Sequence, residues 1–327
     1  MDLTLLDQIC QQCHLGELES QPFPLQGGFL HKMYSLFTTK GKYAVKLLNS
    51  CIMQRETAMG NYRIAEKLEA VLEENEIPIL PALIYHNQKM QEINGQFFYV
   101  YEWYDGKALK SEEISDFHCN RIGNLLARIH ELDRRDEPYQ YDEIHVDWDF
   151  YIGQYATKNK ELYPLLKENR SLLYESQENG NIAVRKLPSV VSICHNDLDS
   201  KNVLWMGDDC RIIDLECLCY SSPFMELYET ALCWSGYEKC QIDYHLFRCL
   251  IHSYVEAGGQ LPIDWETLYW GNYGRLEWLE YNVKRSLGIE CMAEEIEVGI
   301  SEVKNTVARI SYYHNAKNDI LTCLKTV

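Results

Sequence analysis

The chain has 327 residues, 46% of them hydrophobic, which is enough for a substantial core in one large or two moderate domains. Its formal net charge of -18 argues against nucleic acid or anionic membrane as partners, because phosphate would be repelled, and suits a cationic ligand. No apolar run approaches a membrane span, and Met1 to Leu15 lacks the basic start and small-residue cleavage site of a signal peptide, so the cytoplasm is the expected location. With no export signal, thirteen cysteines imply reduced thiols rather than a disulfide scaffold. Cys10-Gln11-Gln12-Cys13-His14 has the spacing of c-type haem attachment. That chemistry goes with export, and two cysteines without other clustered ligands are incomplete for structural zinc, so an N-terminal helix carrying two thiols is expected.

Leu25 to Leu48 reads as three strands. Gln26-Gly27-Gly28 opens a short loop, Met33 to Phe37 alternates, and Lys40-Gly41-Lys42 turns the chain back into Tyr43 to Leu48. Period two puts Ala44 and Lys46 on one face. From Met53 to Leu72 the apolar positions Met59, Tyr62, Ala65, Leu68 and Leu72 step by three and four, which predicts one amphipathic helix. Pro78 and Pro81 end that segment. Met90 to Ile93 and Gln96 to Trp103 follow as strands joined by the Asn94-Gly95 hairpin signal. Ile122, Leu125, Leu126 and Ile129 mark a helix ending near His130, expected to be a structural residue. Pro138 to Lys186 carries no usable motif beyond an aromatic run at Trp148 to Tyr155 and a polar loop near Glu178 to Asn181.

Ser192 to Glu216 carries the chemistry. His195, Asp197 and Asn202 fall in the order H-x-D-x-x-x-x-N, and Asp214 follows the apolar pair Ile212-Ile213. Val203 to Trp205 and Arg211 to Ile213 read as short strands around the turn Gly207-Asp208-Asp209, so the hairpin brings Asn202 and Asp214 together. Moving a phosphoryl group to an alcohol needs a carboxylate within reach of the attacking hydroxyl, and oxygen ligands for the Mg²⁺ on the phosphates. Asp197 suits the first task. Asn202 and Asp214 supply a neutral and a charged oxygen, a pairing that suits a hard cation.

Beyond Glu216 the chain is almost wholly helical. A helix around Phe247, Leu250, Ile251 and Tyr254 closes at Gly258-Gly259. Two long helices are expected, Trp265 to Leu287 and Ala293 to Tyr313.

With these motifs in hand, the chain resembles the aminoglycoside phosphotransferase and choline kinase superfamily, the small-molecule branch of the protein-kinase-like fold. The resemblance implies an α+β, two-lobed protein: a nucleotide-binding lobe at 1–101 with a mixed sheet and one helix, a hinge at 102–105, and a mainly helical lobe at 106–327. It implies Asp197 as the catalytic residue, Asn202 and Asp214 as metal ligands, and His195 as a structural member of the motif. ATP and Mg²⁺ are the implied cofactors. Ala44 would cover the base, Lys46 would steady the phosphates, and Gly27 and Gly28 would let backbone N–H groups approach them, though a full Gly-rich loop is absent. Glu56 is the expected partner of Lys46, with Glu66 as the alternative. Glu102 and Trp103 would meet the adenine edge through main-chain groups. Ser222-Pro223-Phe224-Met225-Glu226-Leu227 resembles the family's Pro-x-x-Asp-Leu segment, with Glu226 in place of Asp.

The expected reaction is ATP- and Mg-dependent transfer to a hydroxyl of a small, cationic molecule, as in aminoglycoside phosphotransferases. A choline or ethanolamine kinase is the second reading, and a nucleotide-binding regulator without catalysis the third. The helical part offers rings (Trp234, Tyr237, Trp265, Tyr269, Trp270, Tyr273, Trp278, Tyr281) that suit a quaternary ammonium, and carboxylates (Glu229, Glu277, Glu280) that suit a polyamine. Asp199 stands two residues after Asp197, where protein kinases carry a phosphoryl-steadying Lys; this argues against protein-kinase activity and leaves Lys201 as a neighbouring cation.

Overall fold

Alternation of side chains in a few short strands sets the part of the fold that holds Lys46 and the H-x-D-x-x-x-x-N segment. A computed structural model describes residues 3–25, 31–137, 141–262, 264–289, 291 and 293–327. In chain order its elements are α1 (Leu3–Gln12), β1 (Phe23–Leu25), β2 (Lys32–Thr38), β3 (Gly41–Leu47), α2 (Ser50–Met53), α3 (Ala58–Glu74), β4 (Gln91–Ile93), β5 (Gln96–Glu102) and β6 (Lys107–Ala108). They continue with α4 (Asp116–Leu132), α5 (Trp148–Lys158), α6 (Leu162–Val184), β7 (Ser192–Cys194), β8 (Val203–Met206), β9 (Asp209–Ile212) and β10 (Cys219–Ser221). The last are α7 (Pro223–Trp234), α8 (Tyr244–Glu256), α9 (Trp265–Gly271), α10 (Gly274–Ser286), α11 (Ile296–Asn315) and α12 (Lys317–Leu324). Gly27 and Gly28 lie outside the described residues. None of the described helices is long and apolar enough to cross a membrane.

The chain divides into two units, Met1–Lys110 with His195–Cys219, and Ser111–Cys194 with Tyr220–Val327. The sequence-based division at 102–105 was contiguous; here the first unit takes in the whole H-x-D-x-x-x-x-N segment from far along the chain.

The first unit is built on an antiparallel sheet in the order β1-β2-β3-β5-β4. Val45, Phe98 and Val100 point to one face and pack with Leu6 and Ile9 of α1 and with Leu15 just beyond it. Each of these large side chains, once buried, stabilises by roughly 1.5–3 kcal/mol. Cys10 and Cys13 belong to the same apolar cluster as free thiols. Burial pushes both thiols up, Cys10 to about 11 and Cys13 to about 12, the reverse of what metal or haem chemistry requires. On the other face Tyr99 packs with Tyr62 of α3, Leu48 and Ala82. Lys46 pairs in register with Tyr99 and lies on this second face. A second, three-stranded sheet runs β6-β8-β9.

The helix expected over Met53 to Leu72 is two helices. Asn49 caps a single turn, its side chain accepting from Cys51 N, and α3 begins only at Ala58. Residues 54–57 interrupt the periodicity, so Glu56 falls in a turn.

In the second unit α4 and α8 pack so closely that a Cβ on Gly123 would stand 2.3 Å from the Leu250 carbonyl oxygen. The motif-poor stretch 138–186 contributes α5 and α6, whose Trp148, Tyr155, Leu166 and Leu173 form a core with α10 and α11. The single helix expected over Trp265 to Leu287 is also two, broken at Asn272 and Tyr273, with Asn272 N–H still bonded to Leu268 O at 3.1 Å.

Candidate active site

Lys46 is 4% exposed, and a buried ammonium needs opposite charge. It receives two carboxylates, Asp214 at 2.5 Å and Glu216 in still closer contact. Burial works against the charged lysine, but Glu216 and then Asp214 outweigh it and hold its pKa above the ordinary value. Glu216 mirrors this. Burial opposes its charge, Lys46 and His31 override the opposition, and the carboxyl is held down at about 2. His31 Nδ1 accepts the Asn49 N–H at 3.0 Å, which places the ring proton on Nε2, 2.9 Å from Glu216 Oε1. Tyr62 OH stands 3.3 Å from the same nitrogen.

The residues of the H-x-D-x-x-x-x-N segment are pinned to the end of β9 through one backbone unit. His195 accepts the Asp197 N–H on Nδ1 at 3.3 Å, so Nε2 carries the proton and donates to Ile213 O at 3.0 Å. The Ile213 N–H donates to Asn202 O at 2.9 Å. His195, wholly buried, thus joins the two halves of the motif in a supporting position. Asp214 follows in the left-handed region, φ 64° and ψ 50°, and from there the chain turns to deliver Glu216. The Asn202 amide donates from Nδ2 to both Asp197 O and Asp197 Oδ2, each at 2.8 Å. That leaves its Oδ1 for a cation.

Asp197 is 40% exposed at its side chain. It is nonetheless closely ringed by protein, and this desolvation pushes its pKa above the usual aspartate value against the pull of Lys201. Lys201 Nζ lies 3.1 Å from Asp197 Oδ1 and 3.3 Å from Asp199 Oδ2. Asn202 Oδ1 and Asp214 are oxygen donors, with no sulfur or imidazole ligand between them, a chemistry that fits a hard divalent cation such as Mg²⁺, whereas both oxygens of Glu216 are already taken by Lys46 and His31.

The sequence-based pairing of Lys46 with Glu56 is not found. Glu56 is exposed in the turn before α3, because the helix that would have carried it inward is broken there. Glu66, the alternative, accepts from Tyr99 OH and Met90 N, both at 3.0 Å. Ala44 is buried on β3 beside Lys46. Glu102 ends β5 and is exposed; the Trp103 N–H donates to Lys42 O at 3.2 Å, so that main-chain donor is already engaged within the sheet. Sequence reasoning missed Glu216 and His31. The carboxylate two residues after Asp214 was visible in the sequence, whereas nothing marked His31.

In the helical unit His130, expected to be structural, is wholly buried, with its Nε2 2.8 Å from buried Glu226 and its Nδ1 2.9 Å from Tyr254 OH. Glu226 therefore makes an anchoring contact with one more methylene than Asp. Four of the eight candidate acceptor rings, Tyr237, Tyr269, Trp270 and Tyr281, are engaged by the chain's own cations. Arg275 stacks on Tyr237 at 4.0 Å and Tyr313 at 4.5 Å, Lys317 sits over Trp270 at 4.5 Å, and Arg285 over Tyr281 at 5.2 Å. Trp234 and Tyr269 are buried in the core.

Similar proteins carry the same architecture. A spectinomycin phosphotransferase solved with ADP and spectinomycin superposes with a TM-score of 0.70 at 13% identity, over 96% of this chain and 99% of that one. An aminoglycoside phosphotransferase from Alicyclobacillus acidocaldarius gives 0.59 at 13% identity, over 97% and 96%. Choline kinase from Cryptosporidium parvum gives 0.52 at 14%, over 98% and 97%. At these identities the likeness speaks for the two-lobed kinase-like fold. No curated protein matches the chain in sequence. Residues 24–248, which include Lys46, Asp197, Asn202 and Asp214, match the phosphotransferase enzyme family, and the chain belongs to that family of small-molecule phosphotransferases.

Proposed function

We propose that the chain transfers the γ-phosphoryl group of ATP to a hydroxyl of a small cationic molecule, with Asp197 receiving or orienting the hydroxyl proton. The observation that carries this reading is the Asn202 amide, which grips the Asp197 carboxylate with Nδ2 while its own oxygen and Asp214 stand as metal donors. Lys46 would steady the phosphates, Asn202 and Asp214 would hold Mg²⁺, and Glu216 would hold Lys46 in place. When bound, the ion neutralises charge on the phosphates. The chain's own part is positioning. Asn202 fixes one Asp197 oxygen, leaving Oδ1 to face the acceptor, and His195 holds the loop against Ile213.

Among acceptors, a polyamine of the aminoglycoside type is favoured over choline or ethanolamine. A quaternary ammonium would call for open aromatic faces, and several of the candidate rings already hold Arg275, Lys317 and Arg285. Glu277 points the same way: burial, then the charges of Asp142 and Glu280, push its carboxyl up, and an incoming amine would relieve that.

The test is ADP release by the purified chain with Mg-ATP and single acceptors (aminoglycosides, choline, ethanolamine, simple sugars), with Asp197→Asn as control. Release above the control with one acceptor is expected, and Asp197→Ala should lower turnover by on the order of a hundredfold or more. ATP that raises the melting temperature with no acceptor-stimulated release would instead favour the regulator reading.

A further inference from the structure

We propose that Lys201 is a second catalytic residue, an ammonium that stabilises the transferring phosphoryl group beside Asp197, and that Asp199 is the positioning residue that holds it there. The inference rests on the phosphotransfer reading of this site.

The two oxygens of Asp197 are not equivalent. Oδ2 is gripped by Asn202 Nδ2 at 2.8 Å, so the acceptor hydroxyl must approach Oδ1. Lys201 Nζ stands 3.1 Å from that same Oδ1. Whatever group is deprotonated at Asp197 therefore arrives next to an ammonium.

Asp199 divides its carboxylate between two tasks. Its Oδ1 accepts the Ser200 N–H at 2.5 Å and caps the single turn Ser200–Asn202 that carries Lys201, while its Oδ2 faces Lys201 Nζ at 3.3 Å. The cap fixes where the lysine leaves the backbone, and the second oxygen fixes where its head goes. A lysine whose side chain is 43% exposed loses rotamer freedom when it folds back on two carboxylates. As a stability device this arrangement achieves little, since exposed ion pairs are screened by solvent and add next to nothing to folding. Its cation is, however, where negative charge gathers during transfer.

In the step, the acceptor oxygen forms a bond to the γ-phosphorus as the bond from that phosphorus to the bridging oxygen breaks, and the electron pair leaves with ADP. The hydroxyl proton passes to Asp197 Oδ1. Lys201 remains protonated throughout. An ammonium turns readily among its hydrogen bonds and can exchange one carboxylate contact for an equatorial phosphoryl oxygen as charge grows there.

The experiment compares Lys201→Met, Lys201→Arg, Asp199→Asn and the Asp199→Asn/Lys201→Met double variant with wild type, using the full chain, Mg-ATP and the acceptor that stimulates ADP release. Lys201→Met should lower kcat by on the order of a hundredfold. Its KM for ATP should stay within about threefold and its ATP-induced melting shift should be unchanged, because the ground-state nucleotide is gripped elsewhere. Lys201→Arg should recover at least about tenfold of the loss by restoring the cation. Asp199→Asn, which keeps the cap and removes the charge, should give a smaller fall, and the double variant should be no slower than Lys201→Met. Transfer by wild type with a Lys201→Met kcat within about threefold of it would overturn the proposal alone. Silence of the wild type with every acceptor would overturn the underlying reading and this proposal with it.

Discussion

His31 Nε2 stands 2.9 Å from Glu216 Oε1, the carboxylate oxygen that Lys46 does not use. Glu216 is thereby held by two residues at the open end of the β2–β3 hairpin, His31 just before β2 and Lys46 near the end of β3. This gives stability a pH dependence with a definite sign. The folded-state pKa of Glu216 is depressed from 4.5 to about 2, so its contribution is complete above about pH 4.5 and is lost as the pH falls toward 2. Urea titrations of the nucleotide-free protein from pH 6 to pH 2.5 should show this loss. Glu216→Gln should be less stable near pH 7, by on the order of 3 kcal/mol, and flatter below pH 4.5. An unchanged acid limb in the variant would remove Glu216 from this role.

Lys46→Met should raise the KM for ATP by about tenfold or more while leaving the sheet intact, since the methionine stem fills the same space beside Tyr99. Steady-state kinetics with varied ATP decide it. A change confined to the acceptor KM would place Lys46 elsewhere in the reaction.

Glu56→Ala is expected to be silent: stability within about 0.5 kcal/mol of wild type and an unaltered KM for ATP. Glu66→Ala should cost about 1–3 kcal/mol, because Met90 N and Tyr99 OH both lose their acceptor. Denaturant midpoints for the pair separate the two glutamates. If Glu56→Ala weakens ATP binding, the helix break does not persist when nucleotide binds.

Gly123→Ala should destabilise by roughly 1–3 kcal/mol, since the new methyl would meet the Leu250 carbonyl and the α4–α8 backbones would have to part. Thermal melts would show it, and a wild-type melting temperature would contradict the close approach.

These outcomes mark what could be read from the chain. His195, Asp197 and Asn202 were legible because the motif is short and its hydrogen bonds run between residues a few positions apart, as between Asn202 and Asp197. The strand carrying Lys46 was legible from alternation. The partners of Lys46 were not, because they stand 168 and 170 residues away and no local pattern encodes that pairing. Glu56 was misplaced for a local reason. Met59, Tyr62 and Ala65 keep the helical period, but every one of them lies in α3, so the period could not show that the chain leaves the helix between Met53 and Ala58. The break between α9 and α10 escaped in the same way, although Gly271 and Gly274 flank it.

The first unit is assembled from two stretches of chain, and this has a consequence for synthesis. A ribosome delivers Lys46 168 residues before Asp214, roughly ten to thirty seconds earlier at ordinary elongation rates. Throughout that interval the lysine has neither acid it will be buried against, and Ile79 lacks the Ile212 it will pair with. The nascent sheet therefore has to wait, with its ammonium still in water, until β9 and Glu216 emerge. A chain stopped at residue 110 holds every strand of the larger sheet and still lacks the charges that let it close.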